Sequence, residues 1–253
     1  MQVMAEYQEK AYVRRLSEAE AQQRARRTWY LPHFGVRSLN KPEKLRLVFD
    51  AAAETDGVSL NSALLSGPDL GQPLTMVLMK FRQKPIGVCA DVVEMFHQVR
   101  IQRQDQDEQR FLWRRKPAAP VVDYVMTVMT FGATCSPCSA QFVKNKNARE
   151  FQTVFPEAAD AILNNHYVDD YVHCFMTEEE AVRVTKEVVW IHNQGGFELK
   201  RVVSNHEYVI ETFNGGESAP TLVNLDRSPE GQFQRVLGMY WDTARDELKF
   251  ALS

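Results

Sequence analysis

The sequence predicts an α+β fold built mostly from antiparallel strands. Three observations carry that prediction. Short β-type runs are joined across brief polar bends, well-capped helices fall between groups of them, and no repeat, low-complexity tract or evident linker interrupts the 253 residues.

In chain order, residues 1–27 read as a polar helical extension, with Val3, Met4, Tyr7 and Ala11 near helical spacing and Ser17-x-x-Glu20 as a capping box. The character changes at Trp29-Tyr30-Leu31-Pro32-His33. Leu45–Phe49 is a β-type run. A helix is expected from about Asp69 to Arg82, with Leu70, Leu74, Val77, Leu78 and Phe81 on one face and Pro85 stopping it. Ile86–Ala90 is a strand of small residues running into Asp91. Val99–Ile101 and Arg110–Trp113 read as a strand pair, and Val121–Phe131 as a further β-rich run.

Ser136-Pro137 opens a helix, because Ser caps and Pro gives up only an N–H that has no partner in the first turn. Thr177-Glu178-Glu179-Glu180 is a second capping box, and its helix ends at Gly195-Gly196. Phe197–Val203 is a strand, and Val236–Trp241 with Glu247–Leu252 form a closing hairpin.

Composition excludes several classes. With 44% hydrophobic and 25% charged residues the chain is ordinary globular material, and no apolar run reaches the roughly 18–20 residues of a membrane helix. The start, MQVMAEYQEK, lacks the basic then apolar pattern of a signal peptide. Four cysteines are too few for a disulfide scaffold of this size. Cys135 and Cys138 form C-x-x-C with no second pair to complete a zinc site, so packing thiols are expected there; a zinc or redox module is the competing idea. The net charge is −3, but it is unevenly spread: residues 1–50 and 80–116 each carry +4 within an otherwise acidic chain. Such blocks suit phosphates on one surface and cations on another, although surface variation alone also produces them.

The sharpest local feature is Asn165-His166-Tyr167-Val168-Asp169-Asp170-Tyr171-Val172-His173, apolar and aromatic residues flanking two acids as a strand–turn–strand would require. Adjacent carboxylates repel unless a cation neutralises them. A plain surface turn explains this text equally well in isolation. Asp91 closes a small-residue strand 78 positions earlier. Three carboxylates on neighbouring strands would make an oxygen-ligand site suited to Mg²⁺, with Glu94 as a rival ligand.

Taken in order, A-D-V-V-E-M-F at Asp91, F-G-A-T-C-S-P at 131–137, Y-V-D-D at 167–170, G-G-F-E-L-K at 195–200 and V-L-G-M at 236–239 are similar to the motifs of reverse transcriptases. The flanking W-Y-L-P-H, R-L-V-F-D-A-A-A, S-L-N-S-A-L-L-S-G-P-D-L and R-F-L-W-R resemble the Bel/Pao class of long-terminal-repeat retrotransposons. The resemblance spans about residues 28–245. It implies a right-hand polymerase with fingers at 28–66 and 99–136 and a palm at 67–98 and 137–253. The antiparallel palm sheet would be flanked by helices, and no thumb is expected within this chain.

The resemblance further implies RNA-directed DNA polymerase activity with two Mg²⁺ ions held by Asp91, Asp169, Asp170 and the Val92 carbonyl. Phe96 matches the steric gate against a 2′-hydroxyl; a core phenylalanine is its bland alternative. Phe131 and Gly132 match the nucleotide pocket, where some relatives carry Gln at the first position and Phe cannot donate a hydrogen bond. Arg46, with Lys44 beside it, matches the fingers cation that clamps a triphosphate, although F-D-A-A-A departs from the aspartate-aromatic-arginine run of many relatives. Lys200 matches a group facing the leaving pyrophosphate, and Leu237, Gly238 and Met239 match the primer grip. Arg110, Arg114, Arg115 and Lys116 would hold template phosphates. The implied partners are an RNA or DNA template with primer, dNTPs, and the protease, RNase H and integrase of a polyprotein, with no membrane. The implied location is cytoplasmic virus-like particles with access to the nucleus. A catalytically inactive nucleic-acid-binding remnant is the alternative.

Overall fold

The computed structural model describes residues 2–23, 27–38, 41–81, 83–214, 233–236 and 239–249. In chain order its elements are α1 (Gln2–Glu9), β1 (Val13–Arg15), α2 (Glu18–Gln22), β2 (His33–Ser38), β3 (Lys41–Phe49), α3 (Leu60–Ala63), α4 (Leu74–Phe81) and β4 (Ile86–Val92). Then come β5 (Arg110–Trp113), β6 (Val122–Met126), α5 (Ser136–Glu150), α6 (Pro156–Asn164), β7 (His166–Tyr167) and β8 (Asp170–Phe175). The last are α7 (Glu178–Gln194), β9 (Leu199–Ser204), α8 (Glu207–Asn214), β10 (Phe233–Val236), β11 (Met239–Asp242) and β12 (Glu247–Lys249). Every named strand pairing is antiparallel, as the sequence predicts.

The chain forms two compact units, Met1–Pro68 with Phe96–Ala140, and Asp69–Met95 with Gln141–Ser253. In the first, β1 joins a three-stranded sheet in the order β1-β6-β5, while β2 and β3 form a separate hairpin. Its core gathers Met4, Tyr12, Leu31, Phe49, Leu60, Phe111 and Met126, with Phe49 and Phe111 in edge contact at 5.1 Å. The N-terminal stretch is therefore not helical throughout: Val13 pairs with Met126 and supplies core surface. The Ser17–Glu20 capping box forms as expected.

Arg110 corrects a second expectation. It does not face template, being only 1% exposed. Its guanidinium donates to Asp107 Oδ1 (2.9 Å), to the carbonyls of Glu20 (3.1 Å), Ala21 (3.3 Å) and Gln23 (3.0 Å), and to the Tyr30 hydroxyl (3.4 Å). All five donors are used on the carbonyls that end α2 and on groups beside them. Arg114, Arg115 and Lys116 are exposed.

The pairing expected between 99–101 and 110–113 does not form. A 3-10 helix over Arg103–Gln109 intervenes and β5 pairs with β6. Buried Gln106 donates to the Ile101 carbonyl and buried Gln109 accepts from Thr130, contacts that hold the bend as helix instead of a hairpin turn.

The second unit holds a four-stranded sheet in the order β7-β8-β4-β9. Central β4 is almost wholly buried, which explains its run of small and apolar residues. Alternation places Gly87, Cys89 and Asp91 on one face. There Cys89 and Val172, opposite one another, pack with Val77 and Phe81 of α4 and with Trp241 of β11. Glycine is required at 87, since a Cβ would lie 2.8 Å from the Trp241 ring and 3.0 Å from Phe81. The helix α4 begins at Leu74, later than expected, because Pro73 takes the position preceding its first turn. The helix α7 is capped by Thr177 Oγ1 from Glu180 N–H (3.2 Å), while the Glu180 carboxylate accepts from Met176 N–H instead of closing a reciprocal box.

Candidate catalytic site

Asp91 is the penultimate residue of β4, and the register sets it opposite Asp170 on one side and Lys200 on the other. The Val92 N–H donates to the Asp169 carbonyl at 2.8 Å. Residues 92 and 169 are thus a hydrogen-bonded pair, and Asp91 and Asp170 the adjoining non-hydrogen-bonded pair. In such a pair the Cα atoms approach to about 4.5 Å with both side chains on one face. Two of the three predicted acids are thereby brought into direct opposition.

The third lies in the turn between β7 and β8. Tyr167 pairs with Asp170, leaving Val168 and Asp169 as a two-residue loop. Val168 adopts φ 54, a conformation in which a β-branched residue is strained by about 1–3 kcal/mol. Positive φ at the first central residue only is the pattern of a II′ turn, the geometry that suits a tight hairpin. The strain is held from two sides: the Asp169 carbonyl by Val92, and the Val168 carbonyl by the buried Gln141 amide of α5 at 3.3 Å. Sequence reasoning missed Gln141, since nothing marks one helical glutamine among others.

Burial raises the pKa of Asp169. Asp170 is pushed up to about 7, first by burial and then by the charges of Asp169 and Asp91. The charges of Asp169 and Asp91 both reach Asp170, so the three carboxylates share one electrostatic neighbourhood. Among the described residues no three His, Cys, Asp or Glu side chains already stand in chelating geometry. Like charges do not close around a common centre by themselves. The donor set, three carboxylates of which burial raises the proton affinity of Asp169 and Asp170, fits a hard divalent cation and would be relieved by one.

Lys200 owes its place to a bulge. Between Cys89–Val203 and Asp91–Lys200 the register shifts by one, and Arg201 takes φ 58. The extra residue in β9 turns Lys200 to lie opposite Asp91. Its exposed ammonium pairs with Glu198 at 3.0 Å.

The remaining predicted residues belong to the first unit or lie further along the chain. Phe96, half-buried in a 3-10 turn over Met95–Gln98, meets Phe131 at 4.6 Å between ring centroids. Gly132 has φ +101, and a Cβ there would stand 2.6 Å from the Phe49 carbonyl oxygen, so glycine is obligatory. Asn61, to which the sequence reading gave no role, clamps this loop: its amide donates to the Gly132 carbonyl (2.9 Å) and its Oδ1 accepts from Thr134 N–H (2.8 Å). Arg46 is exposed on β3 opposite Val36; Lys44 is a backbone member of the same strand. Leu237 and Gly238 lie outside the described residues, and Met239 opens β11 opposite Val236. All four cysteines are free thiols.

Residues 23–202 match the reverse transcriptase (RNA-dependent DNA polymerase) family. The chain belongs to that family. Domains of this family are nucleotidyltransferases of the RNA-directed DNA polymerase type and use divalent metal ions. Its fold is shared with a solved foamy viral protease-reverse transcriptase in complex with double-stranded DNA, at a TM-score of 0.61 and 14% identity. The likeness covers 96% of this chain and 33% of the viral one, so this reverse transcriptase chain spans about a third of that protein's length. No curated protein matches the sequence. Among the described residues no helix is long and apolar enough to cross a membrane.

Proposed function

We propose that the chain carries the fingers and palm of a Bel/Pao-class retrotransposon reverse transcriptase, extending a primer 3′-hydroxyl with dNTPs on an RNA or DNA template. The observation that carries this reading is the direct opposition of Asp91 and Asp170 at the end of a buried sheet, with Asp169 in the adjoining strained turn. Asp91, Asp169, Asp170 and the Val92 carbonyl would hold a pair of Mg²⁺ ions, which when bound neutralise phosphate charge and favour the ionised primer hydroxyl.

The chain's own contribution is positioning and charge. Central β4 fixes Asp91, and two hydrogen bonds to the turn fix Asp169. Lys200 can exchange Glu198 for the departing pyrophosphate, whose charge exceeds that of one carboxylate. Arg46 is assigned to the triphosphate, Phe131 and Gly132 to the nucleotide pocket, and Phe96 to the face of the sugar, where an aromatic ring leaves no room for a 2′-hydroxyl. Leu237, Gly238 and Met239 are assigned to the primer grip. Protease, RNase H and integrase segments of a polyprotein are the proposed partners, and cytoplasmic particles with access to the nucleus the proposed location.

The test is primer extension with Mg²⁺ by the wild-type chain and by Asp169→Asn. Loss of one acid should lower kcat/KM by about a thousandfold. Extension unaffected by the substitution would defeat the site assignment, and a wild-type chain that binds primer–template without extending it would favour an inactive remnant.

A further inference from the structure

We infer that the N-terminal segment, residues 2–15, positions the ring of Phe96 and thereby sharpens selection of deoxyribonucleotides over ribonucleotides. The inference rests on the assignment of Phe96 to the nucleotide sugar.

A steric filter works only if its ring cannot recede, so the question is what stands behind Phe96. Its neighbour is Phe131, at 4.6 Å and an interplanar angle of 59°. Phe131 is 47% exposed, too open to be held by burial. The edge contact that braces it comes from His97, at 5.5 Å and 87°. His97 follows Phe96 in the same 3-10 turn but is only 5% exposed. It packs against two tyrosines of the N-terminal segment, Tyr7 at 5.3 Å and Tyr12 at 5.0 Å, which also meet each other at 5.8 Å.

The tyrosines are themselves anchored. The Tyr12 hydroxyl accepts from Gln98 Nε2 at 3.1 Å, so Tyr12 engages two consecutive residues of the turn that carries Phe96. The Tyr12 carbonyl accepts from Thr127 N–H (2.9 Å), and the Ala11 carbonyl from the Thr127 hydroxyl (2.6 Å). Strand β1 follows immediately and pairs with β6. A continuous run of ring contacts thus leads from Tyr7 of α1 and Tyr12, just ahead of β1, through His97 and Phe131 to Phe96. Nothing in polymerase chemistry requires residues 2–15 to touch substrate. Their part is to stiffen the wall that does.

The experiment measures single-nucleotide insertion by the full chain on a primer–template, with a dNTP and the matching rNTP, and reports the ratio of the two kcat/KM values. Phe96→Val should lower that ratio by at least about tenfold, which tests the assignment of Phe96 itself. Tyr7→Leu should lower it about three- to tenfold while dNTP insertion stays within about twofold of wild type, and His97→Leu should do the same should Tyr7→Leu fail to fold. In the Phe96→Val background neither substitution should lower the ratio further, because both act through the missing ring. A ratio unchanged in folded Tyr7→Leu and His97→Leu, or lowered equally with and without Phe96, overturns the inference. A ratio unmoved by Phe96→Val overturns the assignment of Phe96 first and the inference with it, as does a wild-type chain that inserts neither nucleotide.

Discussion

Arg110 in the first unit and Asp170 in the second are both charges withdrawn from water, and their surroundings are opposite. Arg110 is enclosed by its own complement, five hydrogen bonds to a carboxylate, three carbonyls and a hydroxyl. Asp170 is set among like charges, and burial together with Asp169 and Asp91 raises its pKa to about 7. A charge buried for architecture brings its counter-groups along. Among the described residues Asp170 has no such complement, and the fold bears the repulsion of its like-charged neighbours, the state a bound cation would relieve under the proposed function.

Substitution should separate the two. Arg110→Met is expected to destabilise the chain by about 3–5 kcal/mol, because three carbonyls and Asp107 are left without their donor. Asp170→Asn, measured at about pH 8 where the native carboxylate is ionised, should leave stability unchanged or raise it, while abolishing primer extension. Denaturant unfolding checks both, and equal destabilisation would break the contrast.

Lys144 is an intermediate case. Buried on α5, it donates to the Ile162 carbonyl at 3.2 Å, and burial alone lowers its pKa from 10.5 to about 7. His166 and His192, whose Nε2 atoms lie 3.1 Å apart, are kept neutral by burial and by the Lys144 charge, so they do not titrate above neutrality. Below about pH 7 both folded and unfolded chains hold the lysine proton, and the folded state carries the full burial penalty. Between about 7 and 10.5 only the unfolded chain holds it, so stability rises with pH across that window. Lys144→Met should raise the melting temperature at pH 7 by several degrees and remove this component of the pH dependence; parallel profiles for the two proteins would contradict it.

The smallest effect is expected at the turn. Val168→Gly should relieve the positive φ and stabilise the hairpin by about 1 kcal/mol, yet slow extension severalfold as Asp169 loses its fixed aim. Faster extension would show that the strain serves no purpose.

What was legible in the sequence was local. The Ser17 cap, the Ser136-Pro137 helix start and the Gly195 stop depend on neighbours within a few positions, and each appears where expected. The strand–turn–strand at 167–170 was legible from apolar residues flanking two acids, and the register sets Asp91 opposite Asp170 as the expected convergence requires. What the sequence hid depends on partners far along the chain. The bend at 103–109 is helical because Gln109 finds Thr130, and the bulge that turns Lys200 toward the Asp91 position occurs at an arginine, with no glycine to announce it. Asn61 holds a loop 71 residues away through two amide hydrogen bonds, and Gln141 a turn 27 residues away through one. Arg110 looked like a phosphate contact because charge patterning cannot tell a solvated guanidinium from one that closes a helix end.

The central claim is that Asp91, Asp169 and Asp170 act as one cation site, and direct titration with Mn²⁺ as a paramagnetic stand-in for Mg²⁺ tests it. The account predicts saturable binding by the wild-type chain that is weakened at least about tenfold by Asp91→Asn and by Asp170→Asn alike, since either change removes a shared ligand. Binding that survives Asp91→Asn undiminished while Asp170→Asn abolishes it would show that the two strands do not hold a common ion.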